Sequence, residues 1–249
     1  MLKTKDAISL VVLTATLSGA SASAHATDLP VYTKAPSVEA PVQQWIPWMV
    51  RLRVLGVLPD NGGSTAIVAG SDALSSPYSG LSVSNEVAPE LDVSYFFTKN
   101  IGAELALGAT RLSVNGTGAL NGLQLERTTL LTPTLTLQYH YLDFGAFKPY
   151  VGVGFGYAAF VKTHAAEVCN ADGLWITKVH NVNTFDGVVQ FGFDYMLGRH
   201  WAINVDVKKL WLRPDYTATI NSTTLGAIHV NGTAHIDPWL VGAGIAYKF

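Results

Sequence analysis

Between Trp48 and Phe249, apolar residues alternate one by one with polar or small residues in eight separate stretches. That period of two puts unlike side chains on the two faces of an extended strand and cannot line one face of a helix. The stretches are residues 48–58, 89–98, 101–112, 129–142, 149–161, 184–197, 201–212 and 235–249. In the fifth, Val151, Val153, Phe155 and Tyr157 stand against Gly152, Gly154 and Gly156. In the first, Val50, Leu52, Val54 and Leu58 stand against Arg51 and Arg53.

The connections alternate as well. Residues 98–100, 143–148 and 198–200 are tight, whereas 59–88, 113–128, 162–183 and 213–234 are long. Short and long links in turn, joining an even number of strands, describe an antiparallel barrel crossing a membrane, with short periplasmic turns and long extracellular loops. Closing the sheet leaves no unpaired edge, which a lipid phase requires. A soluble barrel of the lipocalin kind would turn its apolar face inward. Here the aromatic-rich face is too bulky for an eight-strand interior, and the opposite face is the ionisable one. The apolar face is therefore expected to meet lipid.

Composition agrees. The chain is 49% hydrophobic and 14% charged, against roughly 25% charged in soluble domains. Beyond residue 25 no apolar run approaches the roughly 18 residues that a transmembrane helix needs. Trp48, Tyr95, Phe97, Tyr139, Tyr141, Tyr195, Trp201, Trp239, Tyr247 and Phe249 gather towards strand ends, where aromatic rings settle at the headgroup level. A net charge of −2 offers no basic footprint for nucleic acid.

The N-terminus predicts export. Lys3 and Lys5 precede an apolar core at residues 8–17, and Ala24-His25-Ala26 fits a cleavage site. The expected organisation is a cleaved signal peptide (1–26), a proline-bearing periplasmic leader (27–44) and a barrel (45–249), in the outer membrane of a Gram-negative bacterium.

Several motifs then carry a resemblance. Phe147-Lys-Pro-Tyr-Val-Gly-Val-Gly-Phe-Gly-Tyr157, Leu131-Thr-Pro-Thr-Leu135 with Gln138-Tyr139, Asp194-Tyr195 through Trp201, Asn204 and Asp206-Val-Lys-Lys209, and Asp237-Pro-Trp239 with Gly244 and Tyr247-Lys248-Phe249 follow in order. Together they resemble the OmpW family of outer-membrane proteins, which includes the alkane-uptake protein AlkL. The leader and the long first loop around Asn61-Gly-Gly63 are less typical of it. The resemblance implies an all-β, eight-stranded antiparallel transmembrane barrel that admits small hydrophobic molecules by passive passage.

The inward face collects Arg51, Arg53, Glu90, Asp92, Glu104, His140, Asp194, Asp206 and Lys208. An eight-strand interior is just wide enough to be filled by side chains, and buried charges must be paired, so these residues predict a polar network that plugs the lumen. Gly152-Val-Gly-Phe-Gly156 completes no phosphate-binding motif, and such lumen glycines are read as room for bulky neighbours. The histidines lack ligand spacing, so neither a metal nor a cofactor is expected, and no residue set announces catalysis. Pro133 lies within the fourth strand, where it deletes a ladder donor, and is read either as a strand start or local bulge or as a lateral weak point in the wall. Phe249 is read as an assembly signal. Cys169, in a long loop, is read as incidental. Apolar loop residues Ile67, Val68, Leu74, Leu81, Leu120, Leu123, Leu174, Trp175 and Leu225 are expected at the mouth. The expected partners are outer-membrane lipids and lipopolysaccharide, the barrel-assembly machinery and hydrophobic small molecules. A surface-recognition barrel, contacting phage, bacteriocin or host without transport, is the competing reading; a lipid-modifying enzyme is a third, for which no clustered set stands at the outer rim.

Overall fold

The computed structural model describes residues 47–249, except 71, 73, 74, 119, 122, 123, 166–173 and 223–225. The expected signal peptide and leader, Cys169, and Leu74, Leu123 and Leu225 of the expected mouth lie outside the described residues. Alternation, together with valine, isoleucine, threonine and aromatic side chains that suit a pleated surface, gives thirteen strands among the described residues. They are β1 (Trp48–Leu58), β2 (Ile67–Val68), β3 (Ser79–Val83), β4 (Glu86–Phe96), β5 (Ile101–Gly118), β6 (Gln124–His140) and β7 (Phe147–Ala165). The rest are β8 (Leu174–Asn181), β9 (Thr184–Met196), β10 (Trp201–Trp211), β11 (Asp215–Ser222), β12 (Gly226–Thr233) and β13 (Trp239–Lys248).

Eight of them close a ring. The order β5-β4-β1-β13-β10-β9-β7-β6 is completed by β6 pairing back onto β5, every contact antiparallel. Register sets Arg51 opposite Asp92 and Arg53 opposite Glu90. A one-residue slip would turn each of these charges towards lipid, so the charge pattern itself selects the register. The outward row is apolar and left bare by the protein: Leu52 is 55% exposed, Val153 61% and Phe155 55%. Trp48–Tyr95, Tyr95–Phe97, Tyr139–Tyr141, Trp201–Tyr247 and Tyr247–Phe249 ring contacts form one girdle. At the other end of the strands, Tyr157 packs on Phe185 and Leu58 stands opposite Trp239.

The segments expected as long loops are more ordered than their composition suggests. The β5–β6 hairpin keeps pairing as far as Asn115 and Gln124, so most of 113–128 is strand. β3 pairs with the part of β5 that lies beyond its β4 contact. β2, β12, β11 and β8, drawn from three connections, make a separate four-stranded antiparallel sheet. These strands are two to eight residues long, and β11 and β12 are half Asn, Gly, Ser and Thr. That composition reads as loop, yet backbone pairing still satisfies their polar groups. The last strand starts later than expected, at Trp239 rather than residue 235. Asp237 takes φ 31°, and Pro238 has no N–H to give a ladder.

Candidate functional site in the barrel interior

Successive inward positions of each strand stack the interior into layers. Met49, Phe96, Ala202 and Ala246 form an apolar layer at the girdle end of the short turns. Two residues further along each strand the charged set begins. Past it, Leu55, Val57, Ala88, Val188, Leu210 and Leu240 form a second apolar layer. A large apolar cluster then fills the extracellular end, from Leu130 and Ala158 up to Val68, Leu81, Leu120, Tyr216 and Ile236.

The charged layer is one connected network. Arg51 grips Asp194 with two hydrogen bonds, Nε to Oδ1 at 3.1 Å and Nη2 to Oδ2 at 2.7 Å. Its Nη1 donates to Glu104 Oε2 at 2.7 Å and to Ser94 Oγ at 2.6 Å. Arg53 donates to the same Glu104 oxygen and to Glu90 Oε1, each at 2.9 Å. It also ion-pairs with Asp92 at 3.2 Å and Asp206 at 3.3 Å. Lys208 donates to Glu90 at 2.6 Å and faces Asp206 at 3.6 Å. Such forked, charge-assisted bonds are the strong kind, and here they join β1 to β4, β5, β9 and β10 across the lumen. Arg51, Asp92 and Glu104 are 0% exposed. A water-filled pore at this level would leave them wetted, so the barrel is closed here.

All eight charged residues named from the pattern therefore meet, and His140 joins them through a 3.0 Å contact between its Nε2 and Gln138 Oε1. Neutral members complete the network. Gln190 Nε2 donates to Glu104 Oε1 and Asp206 Oδ2, both at 2.8 Å, while its Oε1 accepts from Thr136 and Gln138. Tyr150 donates to Asp206 Oδ2 at 2.7 Å, and Asn204 bridges Tyr150 to Asp194. Tyr150 was not among the expected residues, although it shares the parity of Gly152, Gly154 and Gly156. Its ring occupies the space left by Gly192, where an added Cβ would fall 2.5 Å from the Tyr150 hydroxyl.

Beyond the network, Leu81, Val83, Leu112, Val114, Leu125 and Phe160 line a small cavity of about 30 Å³ among the extracellular strand ends. Glu126, Thr128, Asn181 and Tyr216 also reach its wall. The Thr128 hydroxyl is held by Thr163 at 3.1 Å, and the Tyr216 hydroxyl donates to Thr65 O at 2.9 Å. Burial pushes the Tyr216 hydroxyl up to about 12. Glu126 is 4% exposed, and both its oxygens accept hydrogen bonds from Asn181 Nδ2, at 2.8 and 2.9 Å. Burial raises its carboxyl above the ordinary range, and the Asn181 bond opposes that shift. Glu126 was missed because it lies in a segment read as loop.

Of the expected mouth residues, Val68, Leu81 and Leu120 are buried in the apolar cluster, whereas Ile67 is 64% exposed and Trp175 half-buried. Pro133 lies in the wall, away from the charged network. It stands opposite Leu107 on β5, but the pairing of β6 with β7 passes from Leu131 to Thr134 and skips Thr132 and Pro133. Phe249 donates its N–H to Trp48 O at 3.1 Å and packs its ring edge-on against Tyr247. No group of three metal-ligating side chains occurs among the described residues.

Known proteins share this plan. A family profile described as the OmpW family matches residues 47–249. An outer-membrane protein of Sinorhizobium fredii, y4mB, is 43% identical over 229 residues, covering 92% of this chain and 90% of that protein. Outer membrane protein AlkL of Ectopseudomonas oleovorans is 28% identical over 175 residues, 70% of each chain. The crystal structure of outer membrane protein OprG from Pseudomonas aeruginosa superposes with a TM-score of 0.71 at 28% identity, covering 82% of this chain and 96% of that one. With its closed eight-stranded barrel, lipid-facing apolar belt and match over every barrel strand, the chain is an outer-membrane protein and belongs to the OmpW family.

Proposed function

We propose that the barrel is a passive conduit for small hydrophobic molecules, which enter from outside and leave sideways into the membrane. The observation that carries this reading is the apolar extracellular half of the interior, with its cavity, seated above a closed charged layer. An interior that served only to hold the strands together would have no need to stay apolar beyond the bilayer and leave space there. Cavity walls that are mostly aliphatic favour apolar occupants over water. Its small volume means that cargo must part side chains as it goes. Passage straight through is opposed by the charged layer, where each broken charge-assisted bond costs about 1.5–3 kcal/mol. The lateral route runs through the β6–β7 wall, where pairing skips Thr132 and Pro133 just beside Leu130 and Ala158 of the apolar cluster. No covalent step, metal or cofactor enters this account. Outer-membrane lipid and lipopolysaccharide surround the belt, and Phe249 is the residue that the barrel-assembly machinery reads.

The test is uptake of n-octane by cells that make the barrel and by cells from which it has been deleted. The reading requires faster uptake with the barrel present; equal rates at equal outer-membrane integrity would remove transport. The ordered extracellular sheet of β2, β12, β11 and β8 favours one second reading, recognition of a surface partner, and equal uptake would leave that one standing.

A further inference from the structure

Glu126 is a buried acid that the charged layer does not use. It sits in the wall of the apolar cavity, on the extracellular part of β6, with one neutral partner. Only burial and the Asn181 bond act on it, and among the described residues no cation neutralises it. The buried carboxylates of the charged layer, Glu90, Asp92, Glu104, Asp194 and Asp206, each have a basic partner, whereas Asp186 on β9 is, like Glu126, buried without one. A buried carboxylate held by a single amide is an expense to folding, and replacing it with leucine would suit the surrounding aliphatic walls better. The two hydroxyls of the cavity are engaged within the protein, Thr128 with Thr163 and Tyr216 with Thr65, and the Asn181 amide nitrogen is engaged with Glu126 itself. Each Glu126 oxygen accepts one bond and has lone-pair capacity left over.

The cavity thus combines aliphatic walls with a buried carboxylate, Glu126, that can accept a further hydrogen bond. We propose that its preferred occupant is an amphiphile, an aliphatic chain whose head donates a hydrogen bond to Glu126, as a primary alcohol or primary amine does. This deepens the proposed passage of hydrophobic molecules and rests on that reading. The chain parts the aliphatic side chains around the small cavity, and the head supplies a further donor to the buried carboxylate. A plain alkane meets the same apolar walls but offers Glu126 no donor. An alkanoate brings a second negative charge against it and is excluded.

The experiment uses the full barrel in lipid nanodiscs with ¹³C-labelled methyl groups, following Leu112, Val114, Leu125 and Val179 by NMR during titration. The probes are 1-octanol, n-octylamine, n-octane and octanoate, added to wild type and to Glu126→Leu. In wild type, octanol and octylamine are expected to saturate the methyl shifts at about tenfold lower concentration than octane, the factor worth one charge-assisted hydrogen bond. Octanoate is expected to produce no saturable shift. In Glu126→Leu the octanol and octane curves are expected to coincide, with octane binding retained. Equal affinities for octanol and octane in wild type, or a preference that survives in Glu126→Leu, would overturn the role of Glu126 and leave the apolar conduit intact. If no probe moves any cavity methyl, the conduit reading fails and this inference with it. Should Glu126→Leu not fold, Asn181→Leu, which removes the neutral partner and keeps the acid, must retain the preference for octanol; its loss there would also count against Glu126 as the acceptor.

Discussion

Arg51 shows most sharply what holds this barrel shut. Its guanidinium is wholly buried, makes a two-bond fork on Asp194, and shares Glu104 with Arg53. Removing one member of such a network leaves uncompensated charge behind. Arg51→Ala is expected to cost about 3–5 kcal/mol of stability, measured by urea unfolding in lipid vesicles; a loss under about 1 kcal/mol would mean that water already reaches the network. Lysine is no substitute, because a single ammonium cannot reproduce the fork. Glu126 behaves in the opposite sense. Its carboxyl is raised in the folded barrel from an ordinary value near 4.5, chiefly by burial. The unfolded chain therefore loses this proton at lower pH than the folded one, and stability falls as pH climbs from about 4.5 to the raised value. Glu126→Gln is expected to raise the melting temperature at pH 7.5 and to leave it unchanged at pH 3.5. A gain of the same size at both values would show that burial of the charge is not the cause.

At the scale of elements, the wall between β6 and β7 differs from the rest of the barrel. Pro133 brings no N–H to the ladder, and pairing with β7 lapses there. Pro133→Ala restores a donor, and it is expected to slow octane uptake while leaving barrel abundance unchanged; equal uptake at equal abundance would mean that cargo leaves elsewhere. The eight barrel strands were legible because one physical rule, apolar towards lipid and polar towards the lumen, repeats along all of them. β1 has its expected bounds, and β9 ends one residue early. The rule lapses outside the membrane, where both faces meet water or protein. There Ile176 and Ile220 are buried among threonines and asparagines; β8 and β12 leave no clear alternation to read, and β11, where Tyr216, Ala218 and Ile220 alternate with Thr217 and Thr219, keeps it for only one short strand. The same blindness hid Glu126, whose neighbours 113–128 read as loop. Charged lumen residues could be named from parity alone. What Arg51 grips could not, because Asp194 lies 143 residues away and meets it only when the ring closes.

At the scale of the whole molecule, closure of the ring brings β1 beside β13 and places the Phe249 N–H on Trp48 O. Deleting Phe249 is expected to reduce the folded fraction reaching the outer membrane, read as heat-modifiable barrel in membrane extracts; normal insertion would exclude it as an assembly signal. The finished barrel has two dissimilar interiors, a charged layer joined across the lumen and an apolar extracellular half. The central claim is that the first is closed to water and ions, so that only the second can receive cargo, and then only an apolar or amphiphilic one. Conductance across planar lipid bilayers tests this directly. Insertion of the purified barrel is expected to produce no large, ohmic current steps; reproducible steps on the nanosiemens scale would show an open aqueous channel and contradict it.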